Sequence, residues 1–213
     1  GISMSKEFFA LNNMPKNKTI LSMRKYAIEH KVPIITDEGL IFLLQLCRIL
    51  KPKNVLELGT AIGFSSVHIA LELEDVHIDT IERNQTMVLE AKKNVEALHL
   101  ASKINVIEKD IEQITDQEIK PTYDLIFIDA AKAQYVKFFE RFSKFLSADG
   151  IIVSDNLLFH GLVETKEKIQ SRNVRNMVQK IKNYNEFLAK HKSFTTSFFP
   201  LGDGMAVSER KKT

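Results

Sequence analysis

The chain has 213 residues, with 30 Lys and Arg against 27 Asp and Glu, a formal net charge of +3 and 44% hydrophobic residues. It therefore reads as an ordinary soluble globular protein with material for one large α/β core, and no apolar run approaches the ~18 residues of a membrane helix. One cysteine, Cys47, excludes an internal disulfide framework and a cysteine-based zinc site.

In chain order, residues 19–31 have helical periodicity, with Ile20, Met23 and Ala27 on one face. Val32-Pro33-Ile34-Ile35 is extended, because proline biases its predecessor away from helix. Thr36 or Asp37 can cap a second helix running to about Leu50, and Cys47 lies in its apolar pattern as inert core. A strand over Val55–Leu58 enters a loop with glycines at Gly59 and Gly63, and a helix starts near Ser65. A second strand, Val76–Ile81, ends in Glu82-Arg83-Asn84 and feeds a helix from about Gln85 to His99. The third strand, Ile104–Ile107, ends at Lys109-Asp110-Ile111. The fourth, Tyr123–Ile128, is almost continuously apolar, as a central parallel strand should be, and ends at Asp129. A helix to about Leu146 and a fifth strand, Ile151–Ser154, follow, and then Asp155-Asn156. A long helix is expected over residues 166–190, and two strands, Ser193–Phe199 and Met205–Ser208, read as a hairpin joined by Pro200-Leu-Gly-Asp-Gly204.

These elements predict a single domain over 1–213. The fold is α/β and Rossmann-like: one seven-stranded, mostly parallel sheet with an antiparallel C-terminal hairpin and helices on both faces. Residues 4–50 supply the N-terminal helices, and Gly1-Ile2-Ser3 ahead of Met4 reads as a cloning remnant. No signal-peptide pattern is visible, so a cytoplasmic location is expected, with no membrane partner.

The glycine loop constrains the ligand. A dinucleotide fold wants Gly-x-Gly-x-x-Gly so that a pyrophosphate can approach the backbone. Here the spacing is Gly59-x-x-x-Gly63, with Ala61 between, and Glu57 just before Gly59 would repel a phosphate and could receive an ammonium. A ligand with an amino-acid head and a nucleoside, such as S-adenosylmethionine, suits it better, which disfavours a dehydrogenase. Glu82 follows Gly59 by 23 positions, at the tip of the second strand, where a carboxylate can accept both ribose hydroxyls. Asp110 beside Ile111 offers a polar and an apolar contact for adenine.

Asp129, Asp155 and Asn156 arrive at neighbouring strand ends. Two carboxylates and an amide oxygen, with no Cys or His, suit a hard cation that keeps some waters, with Mg²⁺ favoured over other divalent ions. Lys132, three residues past Asp129, can take a proton or stabilise an oxyanion.

Charge is uneven. Residues 1–31 hold six Lys or Arg against two Glu, and residues 166–192 hold eight against two, so the remainder is acidic. Arg172, Arg175 and Lys182 fall on one helical stripe able to meet phosphates.

Together, Leu56-Glu-Leu-Gly-Thr-Ala-Ile-Gly-Phe-Ser65, Phe127-Ile-Asp-Ala-Ala-Lys132, Asp155-Asn156 and Pro200-Leu-Gly-Asp-Gly204 resemble the cation-dependent class I O-methyltransferases of the catechol and caffeoyl-CoA group. Within that group Val32-Pro33-Ile34, Thr80-Ile-Glu-Arg-Asn84 and Asp129–Tyr135 are most similar to the bacterial tRNA 5-hydroxyuridine methyltransferases. The resemblance implies that Ile35, Ser65, Glu82, Asp110, Ile111 and Asp129 contact S-adenosylmethionine, and that Asp129, Asp155 and Asn156 hold Mg²⁺. It also implies a homodimer that makes 5-methoxyuridine in the tRNA anticodon loop. The chain departs from the group at Ala133, where glycine is usual, and at Ile35, where methionine is. Two other readings are a small-molecule catechol methyltransferase with the same site and a non-catalytic S-adenosylmethionine- and RNA-binding module.

Overall fold

The computed structural model describes residues 5–129 and 134–212. Its strands are β1 (Asn54–Leu58), β2 (His77–Glu82), β3 (Ile104–Glu108), β4 (Tyr123–Asp129), β5 (Leu146–Asp155), β6 (Phe194–Phe199) and β7 (Met205–Arg210). Its helices are α1 (Lys6–Phe9), α2 (Lys18–Glu29), α3 (Asp37–Leu50), α4 (Phe64–Glu72), α5 (Gln85–Ala97), α6 (Tyr135–Phe142) and α7 (Arg172–Ala189). The strands form one sheet in the order β3-β2-β1-β4-β5-β7-β6. Pairs from β3 through β5 are parallel, and β7 runs antiparallel to both β5 and β6. This is the architecture expected from the alternation of strands and helices. The chain order reverses between β1 and β4, and that switch point opens a crevice at the carboxyl ends of the strands.

Side-chain alternation divides the core in two. Val55, Ile78, Leu125, Phe127 and Val153 pack with the α2–α5 layer, while Leu56, Leu58, Ile126, Ile128 and Ile152 pack with α6 and α7. Both faces are buried, which is why β4 shows no polar alternation. Cys47 is buried, and burial pushes its thiol up to about 12, as an inert core residue requires. Among the described residues no helix is long and apolar enough to cross a membrane.

Two boundaries differ from the expected ones. The helix expected over 166–190 begins only at Arg172, where the Ser171 hydroxyl caps it by accepting from Val174 N at 3.3 Å. Residues 166–170 contain one apolar side chain, Ile169, too little to hold a further turn against the sheet. The helix expected to reach Leu146 stops at Phe142, and β5 starts at Leu146 rather than Ile151. The early part of β5 crosses close to β4: a Cβ on Gly150 would lie 2.8 Å from the Asp124 carbonyl oxygen, and the register shifts between Tyr123 and Leu125.

The loop between β1 and α4 is held from below. Asn94 Nδ2 on α5 donates to the Ile62 carbonyl at 2.9 Å. Gly63 has φ +86°, and a Cβ there would touch Ala91 Cβ at 3.4 Å, so glycine is needed for both the turn and the helix contact. On α4, His68 is 1% exposed, and among the described residues neither ring nitrogen has a hydrogen-bond partner. Burial, reinforced by the Arg24 guanidinium, pushes its imidazole down to about 4. Between pH 6.5 and 4 the unfolded chain therefore binds a proton that the folded chain refuses. This contribution to stability is whole above pH 6.5 and is lost as pH falls, by about 3 kcal/mol at the acid end. Chemical unfolding at pH 7 and pH 4.5 checks this: His68→Leu should lose much less stability on acidification than the parent, and equal losses would contradict it.

Candidate active site

The carboxylates expected at the site share one face of the sheet. Glu57, Asp129 and Asp155 each lie two residues beyond a core residue of the α2–α5 face, namely Val55, Phe127 and Val153. The period of two then projects all three to the same side. Glu82 stands in the same relation to Ile78, four residues back. Asp129 and Asp155 are direct partners in the parallel register of β4 and β5. Neighbouring strands lie about 4.8 Å apart, so the two carboxylates leave the sheet side by side.

Asn156 completes the set. It adopts a left-handed conformation, φ +67°, which asparagine tolerates better than most residues, and its N–H donates to Asp155 Oδ1 at 2.7 Å. Its side chain is buried, and among the described residues Oδ1 has no hydrogen-bond partner. A buried amide oxygen without a partner costs free energy, and a hard cation is a natural complement to it. The donor types, their adjacency and this orphan oxygen all fit a divalent ion. Among the described residues no group of three His, Cys, Asp or Glu side chains is arranged for a metal, so such an ion would rest on two carboxylates and the amide. Beyond Asn156 the chain is tied to the hairpin loop, with Leu157 N donating to Gly204 O at 3.0 Å and Leu158 N to Asp203 O at 2.7 Å. Lys132, the expected proton acceptor, lies outside the described residues.

The expected cofactor residues line two cavities that share Pro33, Gly59 and Ala61. The smaller cleft brings Ile35, Glu57, Ser65 and Asp129 together with Asp155. The larger, about 640 Å³, is lined by Glu82, Asp110 and Ile111. Glu82 is oriented from both sides: Oε1 accepts from Ala61 N at 2.9 Å and Oε2 from Asn84 N at 3.1 Å. Asp110 Oδ1 accepts from Glu112 N at 2.9 Å at the start of a 3₁₀ turn. Glu57 is more enclosed than a free ammonium receptor would be. It is 3% exposed, and Oε1 accepts from Ser66 Oγ and Thr80 Oγ1, each at 2.7 Å. Thr80 Oγ1 in turn lies 2.6 Å from Thr60 Oγ1, so hydroxyls support this buried carboxylate beneath the loop.

The expected basic stripe divides. Arg172, Arg175 and Lys182 are exposed, but the Arg175 guanidinium donates to the carbonyls of Ile169 and Gln170, both at 2.9 Å, and so secures the approach to α7. Lys180, Met177 and Phe138 do line the large cavity, as does Lys31. Sequence reasoning missed them because Met177 and Phe138 carry the same apolar periodicity as core positions.

Sheet order, switch-point crevice and glycine loop define a Rossmann-like methyltransferase fold. The protein-family model for O-methyltransferase matches residues 10–211, and the chain belongs to that family. The expectation of an S-adenosylmethionine-dependent O-methyltransferase stands at that level. Among curated relatives, tapetum-specific methyltransferase 1 of Arabidopsis thaliana is 32% identical over 196 residues, covering 89% of this chain and 82% of the relative. Caffeoyl-CoA O-methyltransferase of Populus kitakamiensis is 28% identical, covering 88% and 82%. A Staphylococcus aureus crystal structure, provisionally described as a caffeoyl-CoA O-methyltransferase, is 42% identical with TM-score 0.87 over 92% of this chain and 93% of that one. An O-methyltransferase from Bacillus cereus, crystallised with S-adenosylhomocysteine, is 23% identical with TM-score 0.80 and 96% coverage of both chains, and shares the fold.

Proposed function

We propose that the protein is a divalent-cation-assisted, S-adenosylmethionine-dependent O-methyltransferase, and that its acceptor is 5-hydroxyuridine at the tRNA wobble position, converted to 5-methoxyuridine. The observation that carries the reaction type is the side-by-side pair Asp129 and Asp155 with the orphan oxygen of Asn156, opening on the same cleft as Ser65 and Glu57. Such a site suits an acceptor with two adjacent oxygens, one of which is methylated. In 5-hydroxyuridine these are O4 and O5, matching the vicinal pair of a catechol.

The roles follow from position. Glu82, already aimed by two backbone N–H groups, receives the ribose hydroxyls, and Asp110 with Ile111 takes the adenine. Asp129, Asp155 and Asn156 would hold the cation, which when bound lowers the pKa of a coordinated hydroxyl and fixes its direction. The donor supplies a methyl on a sulfonium: its carbon–sulfur bond breaks as the oxygen–carbon bond forms, sulfur keeps the electron pair, and S-adenosylhomocysteine leaves. Lys132, three positions after Asp129, is placed by the sequence to accept the hydroxyl proton. Burial of Asp155 and Asn156 limits water at the acceptor oxygen.

The tRNA assignment is supported by the basic segments and by the resemblance in Val32–Ile34 and Thr80–Asn84. The names of the caffeoyl-CoA relatives favour a second reading, a phenolic acceptor. Mass spectrometry decides between them. Undermodified tRNA incubated with enzyme, labelled donor and Mg²⁺ should yield labelled 5-methoxyuridine. Label in a catechol or caffeoyl ester with none in the tRNA would reject the tRNA reading.

A further inference from the structure

The large cavity has a feature that its cofactor does not explain. Lys31, Arg83 and Lys180 all line it, from the α2–α3 turn, the end of β2 and α7 respectively. S-adenosylmethionine carries no phosphate, and its sulfonium and ammonium are cationic, so three further cations serve it poorly. Three carboxylates, Glu82, Asp110 and Glu112, line the cavity too, so what sets the lysines apart is the lack of direct pairing rather than the net charge. Glu82 is committed to Ala61 N and Asn84 N. Glu112 lies 3.4 Å from Lys137, and Asp110 caps its own 3₁₀ turn, leaving Arg83 a loose 3.9 Å pair with it. Lys31 and Lys180 are exposed and make no ion pair among the described residues.

The placement of Lys180 is fixed by packing. The buried Tyr184 hydroxyl meets Ser154 Oγ on β5 at 2.7 Å, Asn185 Nδ2 donates to Leu157 O at 3.2 Å, and Tyr135 hydroxyl on α6 donates to Met177 Sδ at 3.0 Å. These contacts set the rotation of α7, which turns Met177 and Lys180 to the cavity. Lys182, two residues on, is rotated about 200° and faces away.

We propose that Lys31, Arg83 and Lys180 form a phosphate-binding rim that holds the RNA backbone on both sides of the flipped acceptor base, in place of the Arg172–Arg175–Lys182 stripe. The inference rests on the tRNA reading above and deepens it. A base splayed from an anticodon loop leaves its flanking phosphates at the mouth of the pocket, where lysines on separate elements can meet them.

The test is fluorescence anisotropy of a labelled, unmodified tRNA anticodon stem-loop across a salt series. The double variant Lys31→Gln/Lys180→Gln should bind about tenfold more weakly. Its log–log salt slope should shrink by about 0.7 per lysine, the single-strand value. Lys182→Gln should keep the parent slope. Both sites are exposed, and a thermal melt confirms that each variant folds. A parent slope in the double variant, or its loss in Lys182→Gln, would overturn the rim while leaving the tRNA reading intact. Absence of salt-dependent binding by the parent protein would overturn both. Free coenzyme A, another phosphate source, provides the final arm: if it competes at equal concentration and its binding is what the two lysines support, the rim belongs to a thioester acceptor and the RNA assignment fails.

Discussion

Asp155→Ala is expected to abolish methyl transfer, with a fall in kcat of at least about 10³-fold, the scale of losing a preorganised electrostatic group at the reacting oxygen. Asp155 sits opposite Asp129 in the sheet register and next to the orphan oxygen of Asn156. Removing it leaves one carboxylate and one amide, too weak a set for a hard cation. Glu82, Asp110 and the loop after β1 are untouched, so donor affinity should stay within a few-fold of the parent. Two measurements separate these effects: Mn²⁺ binding by electron paramagnetic resonance, expected to be lost, and calorimetry with S-adenosylhomocysteine, expected to be nearly unchanged. Asn156→Gly refines the point, since glycine tolerates the left-handed backbone while the whole side chain, amide oxygen included, is lost; weakened Mn²⁺ binding is expected. If Asp155→Ala bound Mn²⁺ like the parent, or if a strong chelator left turnover unchanged, the cation site would be elsewhere.

Glu82→Ala is expected to cost donor affinity rather than cation affinity. Its carboxylate is held by Ala61 N and Asn84 N, with one oxygen on each, at the edge of the large cavity. Two hydrogen bonds from ribose hydroxyls to a charged acceptor are worth about 1.5–3 kcal/mol each, so a loss of about 100-fold or more in S-adenosylhomocysteine affinity is expected. Glu82→Gln should fall between the two, because an amide can accept at only one of its two positions. Mn²⁺ binding should survive in both. An alanine variant that folds and binds the donor analogue within about threefold of the parent would refute the ribose role.

The two predictions rest on residues of different legibility. Glu82, Asp129, Asp155 and Asn156 stood out because each follows an apolar strand at the edge where α/β folds collect ligands, and strands and strand ends are local features. Gly59 and Gly63 were legible for the same reason: a strand-to-helix turn writes its backbone requirement into the residue type. The apolar periodicities of α2, α3 and α5 led to helices with nearly the expected bounds. The start of α7 did not emerge, because charged residues 166–170 are compatible with a helix until one asks what they would pack against.

Pattern and composition alone thus carried the α/β class, the mostly parallel sheet with its antiparallel C-terminal hairpin and the two candidate groups of residues, since each depends on neighbours a few positions apart. Three things required the folded chain: that Asp129 and Asp155 are register partners, that Asn156 keeps an unpartnered buried oxygen, and that Lys180 rather than Lys182 turns to the cavity. Each depends on contacts between segments distant in the chain, among them β4 with β5, Tyr184 with Ser154, and Leu158 with the hairpin loop. No local spacing encodes a rotation set by packing on the far side of a sheet.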